Sequence, residues 1–441
     1  MGPAVRDRLY GEIELPGIAQ ELARECPMLL RLREIRLPNV PLLTFPSYAG
    51  ASRYEHSVGV AHLAWWWARR NRLAPPDAEA LTLAALYHDA ATPAFSHLFE
   101  EQLAAAGFDH ESELAHTVAT AGSVPGHRYA QIFLGRSARL RDEVETHSRS
   151  STRLSIDGLY DLMTGADPLG VIVHGDIDLD NIDNTVRAAT AMGLDDAHLL
   201  KPLEIAAALE WDGKQVVLSA TADGPIRSWR GARRAVYDNL LSSKTEFLAQ
   251  TAVKWAIDLC SLDDDHGVLR SPRAWVMTEP ELVFGHLRLV EESRRLIDDL
   301  RLGRLPEFVA CAWHGDLRRF LRGGSSAVNA FADRVTKALE VTCYANFYID
   351  KRERSICLPS RVGLWTAPSQ DIAPDHTGPP CPGVVGVVCP RGVRDRLDGQ
   401  AICDVVGQEV TAALGAPPDH VGLDWGLPHG SSPAAVQPSL L

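Results

Sequence analysis

No run of apolar residues approaches the ~18 to 20 needed to span a bilayer, which argues against a membrane-spanning helix. Met1 to Gly17 carries charges throughout and lacks the apolar centre of a signal peptide. The eight cysteines (Cys26, Cys260, Cys311, Cys343, Cys357, Cys381, Cys389 and Cys403) include no Cys-x-x-Cys pair, so a zinc ribbon or thioredoxin-type site is not expected. They read as reduced core thiols, which places the chain in the cytoplasm. Basic residues are short: 44 Lys and Arg stand against 57 Asp and Glu, a net charge of −13. That balance argues against a nucleic-acid binder, whose affinity comes from basic contacts to phosphate. It leaves room for a small anionic substrate in a local basic pocket. No internal repeat is present. Gly323-Gly324 is not followed by Lys-Ser or Lys-Thr, so there is no P-loop there.

What remains is a chain of 441 residues, 46% apolar and 23% charged, long enough to bury a sizeable core. Its first three hundred residues read mainly as helix. Val58, Ala61, His62 and Trp65 recur at helical spacing in Tyr54 to Arg70. Asp77, after Pro75 and Pro76, is expected to cap a helix running to Tyr87. Asp178 to Met192 is expected to be closed by Gly193. Asp212-Gly213 before Lys214 to Ala220 predicts a short hairpin, and helix returns over 232–262 and 279–302. Val341 to Leu358 is expected to form a strand pair, 359–390 a loop rich in Pro and Gly, and Ala401 to Leu414 a late helix. The expected organisation is a domain over 1–305, an α+β region over 306–414 and a disordered tail over 415–441.

Four segments concentrate metal-ligating residue types: Arg53-Tyr54-Glu55-His56-Ser57, Leu86-Tyr87-His88-Asp89, Phe95-Ser96-His97-Leu98-Phe99-Glu100, and Asp178-Leu179-Asp180-Asn181-Ile182-Asp183. His88 and Asp89 end the strongly apolar stretch Leu81 to Tyr87, where a carboxylate is costly to bury without a partner. A shared divalent cation is one such partner. Imidazoles and carboxylates from separate helices make a mixed nitrogen and oxygen shell that suits Mn, Fe, Ni, Co, Zn or Mg. A lone His-Asp pair at a helix end is more often a cap or a surface feature. The combination is what carries weight: His56 opens one helix, His88-Asp89 closes the next, and Asp-x-Asp opens a later one.

In these strings the sequence resembles the HD-domain phosphohydrolases, and among them the deoxynucleoside triphosphate triphosphohydrolase branch. The matching residues are Phe45-Pro46, Arg53 to Val60, Leu86 to Asp89, Pro93 to Glu100, Asp178-Leu179-Asp180 with Asp183 and Arg187, and Val236 to Asn239. The resemblance covers roughly residues 25 to 300 and implies a mainly α fold. That fold is an HD helical bundle with a short β-hairpin insertion and a smaller α+β C-terminal region.

The resemblance implies one divalent ion held by His56, His88, Asp89 and Asp180, with Asp183 as an acid supporting the ligands or packing the helix. It gives Arg53 a contact to phosphate and His97 a proton-transfer role, with Glu100 orienting it and His110 completing a relay. Lys244 and Lys254 take substrate-binding positions. The implied chemistry is metal-assisted phosphoester hydrolysis of a nucleotide, and the implied assembly is a homo-oligomer.

The departures from the family pattern fall in the substrate pocket. Thr92 replaces a histidine, Asn181 a basic residue, Asn184 a tyrosine and Ala188 a sugar-contacting Asp. Leu37 stands for a sugar-reading glutamine, Ser243 for a phosphate-contacting arginine and Thr251 for a tyrosine. Leu37 and Ala188 cannot pair with a sugar hydroxyl, so a changed nucleotide specificity is expected. Two alternatives stay open: an HD-type nucleotide phosphomonoesterase in a biosynthetic route, and a nucleotide-sensing module without turnover. The run Arg227, Arg230, Arg233, Arg234 reads as a solvated helix face or an effector site. Of Trp65, Trp66 and Trp67, which cannot all face one side of a helix, at least one is expected to meet a partner.

Overall fold

The computed structural model describes residues 5–39, 41–104, 152–262, 274, 276–315, 317, 324–349, 356–362, 365–372 and 383–426. In chain order, a hairpin of β1 (Val5–Asp7) and β2 (Gly11–Ile13) precedes helices α1 (Arg53–Arg70), α2 (Pro75–Tyr87), α3 (His97–Ala104) and α4 (Leu179–Met192). Strands β3 (Leu209–Trp211) and β4 (Val216–Leu218) lead into α5 (Asp223–Ser242) and α6 (Lys244–Leu262). Then come β5 (Glu307–His314), α7 (Gly324–Leu339), β6 (Tyr344–Tyr348), β7 (Ile356–Val362), β8 (Trp365–Ile372) and β9 (Gly383–Cys389). The last elements are α8 (Gly399–Leu414) and β10 (His420–Gly422). The fold is mainly α, and no described helix is long and apolar enough to cross a membrane.

The chain forms two compact units. One comprises Met1–Val236, Cys260–Leu289 and Arg352–His376; the other comprises Tyr237–Leu259, Val290–Lys351 and Thr377–Leu441.

In the first unit α1 packs against α2 and α4. Helix α1 starts in a capping box: the Ser52 hydroxyl accepts from the Glu55 N–H at 3.2 Å and the Glu55 carboxylate accepts from the Ser52 N–H at 3.1 Å. Helix α2 starts differently from the sequence expectation. Its cap position is Ala74, without a side-chain cap, and Pro75 occupies the first turn, where a missing N–H costs nothing. Asp77 lies inside that turn and pairs with Arg153 at 3.2 Å. Every residue of α2 from Ala80 to Tyr87 is buried, so the helix is apolar all round rather than amphipathic. Helix α4 has Asp178 as its cap and ends on Gly193 in the left-handed region at φ +68°. Trp67 is fully buried, donating its indole N–H to the Leu209 carbonyl at 2.7 Å. Trp65 and Trp66 are half-buried, with Arg69 and Arg70 over their rings. The expected hairpin at 214–220 is β3–β4, which extends into a four-stranded sheet of order β3-β4-β7-β8.

The second unit is built on the antiparallel sheet β10-β5-β9-β6. Val385 and Val387 of β9 pack with Phe331, Val335, Ile402 and Val406 of α7 and α8. Val384 and Val388 point the other way, to Phe247 and Trp255 of α6.

Three expectations are corrected here. Residues 341–358 do not make a strand pair: β6 joins β9 in the second unit, while β7 joins β4 and β8 in the first. Residues 359–390, read as loop, contain most of β7 and all of β8 and β9. Strand β9 is buried on both faces, so it shows no alternation that would betray it among glycines. Residues 415–426, read as part of a disordered tail, carry β10 and Trp425, whose ring stacks on Phe247 at 4.1 Å.

Candidate metal centre

Helix α1 supplies His56, the end of α2 supplies His88 and Asp89, and the first turn of α4 supplies Asp180. One ligand-type atom from each of His56, His88 and Asp180 lies within 4.8 Å of the others. The Nε2 atom of His56 is 2.9 Å from Asp180 Oδ1, and that of His88 is 3.8 Å from it. Asp89 Oδ2 is 3.7 Å from both imidazole nitrogens. The two rings meet edge to face with centroids 5.3 Å apart.

Each imidazole is oriented from behind. His88 Nδ1 donates to the Ala85 carbonyl at 2.7 Å, and His56 Nδ1 donates to Asp183 Oδ1 at 2.7 Å. Both rings therefore turn Nε2 inward. The Nε2 of His88 is buried and makes no hydrogen bond in the described structure. A buried lone pair without a partner, facing a second imidazole and two carboxylates, fits a divalent cation. Burial alone lowers the pKa of His56, yet its hydrogen bonds to Asp180 and Asp183 raise it to about 9. Burial likewise opposes the charged form of His88, and Asp89 and Asp180 raise its pKa. Burial also works against ionisation of Asp180, but the hydrogen bond from His56 and the nearby charge of His88 hold its pKa well below the usual range.

Asp89 is held on both oxygens. Arg53 Nη1 donates to Oδ2 at 2.5 Å, and the Thr92 hydroxyl donates to Oδ1 at 3.0 Å. Burial opposes this carboxylate's ionisation, but Arg53 and then His88 bring its pKa down. Arg53 also donates from Nε to the Ser96 hydroxyl at 2.9 Å, so its fork is aligned against both ends of the 88–96 turn. Phe95 and Ser96 both sit at positive φ, +54° and +52°, where non-glycine residues are strained. Glu279 accepts from the Phe95 N–H and from Arg36 at 2.9 Å, and so fastens that turn. Asp178 takes three donors, from Gly175 at 2.8 Å and from the backbone and side chain of Asn181 at 2.7 and 2.9 Å. Burial, and then the charge of Asp180, still push its pKa up to about 7.

The structure thus brings together His56, His88, Asp89, Asp180 and Arg53. His97 opens α3, and Glu100 is half-buried one turn on. His110 lies outside the described residues. Lys244 and Lys254 belong to α6 and the second unit. The Lys244 ammonium sits 4.8 Å over Phe308; that of Lys254, fully buried, sits 5.0 Å over Phe347. Leu37 and Ala188 are buried. Sequence reasoning missed Tyr10, Asp7 and Glu279, since no local pattern marks a short strand or helix start as a support for a distant turn. The one available signal was Arg187, whose buried charge requires acidic partners from somewhere.

Comparison with known proteins agrees with this geometry. The family model of the HD domain matches residues 53–184. These residues are an HD domain. They run from Arg53 through His56, His88, Asp89 and Asp180. Over 118 residues the chain is 30% identical to the deoxynucleoside triphosphate triphosphohydrolase SAMHD1 homolog of Dictyostelium discoideum, covering 24% of this chain and 23% of that protein. Over 277 residues it is 25% identical to the uncharacterized protein MJ1154 of Methanocaldococcus jannaschii, covering 59% of this chain and 53% of that protein. The chain spans about a quarter of the first relative's length and about half of the second's.

Proposed function

We propose that the protein is a divalent-metal-dependent nucleotide phosphohydrolase of the HD type, with a pocket that departs from a deoxyribose-reading one. The observation that carries the proposal is the convergence of His56, His88 and Asp180 on a buried, unpartnered imidazole nitrogen, with Asp89 and Arg53 alongside. A divalent ion held by His56, His88, Asp89 and Asp180 would polarise a phosphoryl oxygen and lower the pKa of a water beside it. Arg53 is the group proposed to offset phosphate charge; its planar fork is already aligned by Asp89 and Ser96. His97, oriented by Glu100, is proposed to transfer the proton, with His110 completing the relay. Lys244 and Lys254 are proposed to contact substrate. A cytoplasmic homo-oligomer belongs to the same proposal.

A nucleotide as substrate is supported by the partial identity to the SAMHD1 homolog. The altered pocket is supported by Leu37 and Ala188, two buried apolar residues where a sugar reader needs hydrogen-bonding groups. The test is elemental analysis of the purified full-length chain, followed by a panel of deoxynucleoside triphosphates, ribonucleoside triphosphates and monophosphates with Mn2+ or Mg2+. Metal-dependent phosphate release is expected, weakest with ordinary deoxynucleoside triphosphates. Clean tripolyphosphate release from those substrates would overturn the altered pocket, and orthophosphate release would favour a phosphomonoesterase. A His88→Ala/Asp89→Ala variant should lose both metal and turnover. If it loses metal but keeps every activity of the native protein, the catalytic reading is wrong.

A further inference from the structure

Asp183 is fully buried, and all its acceptor capacity is used. Its Oδ1 accepts from His56 Nδ1 at 2.7 Å and from Arg187 Nε at 2.9 Å. Its Oδ2 accepts from Arg187 Nη2 at 2.9 Å and from the Tyr10 hydroxyl at 2.7 Å. Arg187 in turn donates from Nη1 to Asp7 Oδ2 at 2.8 Å. The other oxygen of Asp7 accepts from the backbone N–H groups of Leu9 and Tyr10, at 2.7 and 3.3 Å. Asp7 therefore shapes the turn that presents Tyr10 and anchors Arg187 at the same time.

The space for this network is cut out of α1. Gly59 lies one helical turn beyond His56. A Cβ there would meet Asp183 Oδ2 at 2.4 Å, Arg187 Nη2 at 2.6 Å and the Tyr10 ring at 3.0 Å.

We infer that the N-terminal hairpin is part of the metal centre: Tyr10, with Asp7 behind it, is a positioning residue that holds Asp183 so that Asp183 turns His56 Nε2 toward the ion. The inference rests on the metal-centre reading above. The hairpin packs on the core through Ile13, with Val5, Leu9 and Tyr10 against it. Packing alone does not require what it also does: direct a hydroxyl and a carboxylate into a buried polar chain whose far end is a ligand-type imidazole. Partners behind a ligating histidine fix its ring orientation and tautomer, and their loss weakens metal binding by about ten- to a hundredfold. Tyr10 acts one step further back and leaves Arg187 on Asp183, so its loss belongs at the lower end, about tenfold.

The experiment measures Mn2+ binding to the full-length protein by titration calorimetry, with no substrate present. It compares the native chain, Tyr10→Phe and Ile13→Ala. Tyr10→Phe keeps the ring and removes the donor, so it should bind Mn2+ about tenfold more weakly with its unfolding temperature nearly unchanged. Ile13→Ala should unfold at a lower temperature and keep the native affinity. An unchanged Mn2+ affinity in Tyr10→Phe overturns the inference, as does an equal loss in Ile13→Ala, which would mark general loosening of the hairpin. If Tyr10→Phe does not fold, Asp7→Asn carries the same expectation for Mn2+ affinity but with a lower unfolding temperature, because it keeps an acceptor for the turn and turns an amide N–H toward the buried Arg187. A native chain that takes up no divalent ion overturns the metal reading and this inference with it. Equal affinities in native and variant overturn this inference alone.

Discussion

Asp183 shows how much of a site one side chain can hold. It is buried between a cation, Arg187, and an imidazole. Burial alone disfavours its ionised form, but Arg187 and the His56 hydrogen bond lower its pKa to about 2. An Asp183→Asn variant leaves the Arg187 charge buried against a neutral amide, with only Asp7 to answer it. Removing one member of a buried charged set costs about 3 to 5 kcal/mol, and Asp7 keeps this case near the lower figure. The expected outcome is a lower urea midpoint for the metal-free protein, together with Mn2+ affinity reduced by about tenfold or more. A midpoint equal to that of the native chain would show that the network carries no net stability. Part of this was readable in the sequence. A His-Asp pair ending an apolar helix demands a partner, and the family resemblance marked Asp183, one turn past Asp180, as an acid that supports the ligands or packs the helix. Tyr10 could not be found that way. Its partner lies 173 residues along the chain, and Tyr10 sits in the turn between two three-residue strands, too short to carry a periodicity from which a contact can be argued.

At the scale of elements, α1 approaches α4 because Gly59 has no side chain. A Gly59→Ala substitution favours helix intrinsically, by about 1 kcal/mol. It also drives a methyl into the Asp183 and Arg187 side-chain atoms at 2.4 and 2.6 Å. Those atoms are fixed by four hydrogen bonds and cannot give way cheaply. Overpacking of that kind costs about 1 to 3 kcal/mol, so the net change should be destabilising, measurable by denaturant unfolding. A stabilised variant would show the network to be softer than its contacts suggest. The elements that escaped the sequence did so for a related reason, because burial overrode local pattern. The 7 residues of β9 are buried on both faces and include two glycines, so no alternation marks it, and its four valines were the one local signal among the Pro-rich flanks. Trp425 lies in a Gly- and Pro-rich stretch, yet it donates to the Leu241 carbonyl at 2.8 Å and stacks on Phe247. Trp425→Ala should therefore cost the second unit about 2 kcal/mol, read from the loss of its unfolding midpoint.

Across the whole molecule, the chain passes back and forth between its two units. Residues 237–259 belong to the second unit, while 352–376 return to the first. Composition cannot record this, since an apolar helix looks the same whichever core it joins. The thiols offer a way to address the second unit separately. Burial pushes Cys311 and Cys389 up to about 11, and Cys343 up to about 12. In the unfolded chain a cysteine ionises near 8.5. Between the unfolded and folded values the native state retains protons that the unfolded state has lost, so stability falls as pH rises. The contribution of these thiols is intact below about pH 8.5 and is lost progressively toward pH 11. Alkylation of the native protein at pH 8, read residue by residue by mass spectrometry, should modify the exposed Cys357 first and leave Cys311, Cys343 and Cys389 protected. Raising the pH toward 10 should speed labelling of those three together, as a cooperative opening of the sheet that β5 and β9 share with β6. If Cys311 instead reacts at pH 8 as fast as Cys357, the β5–β9 face is open to solvent and the two-sided packing of that sheet is refuted.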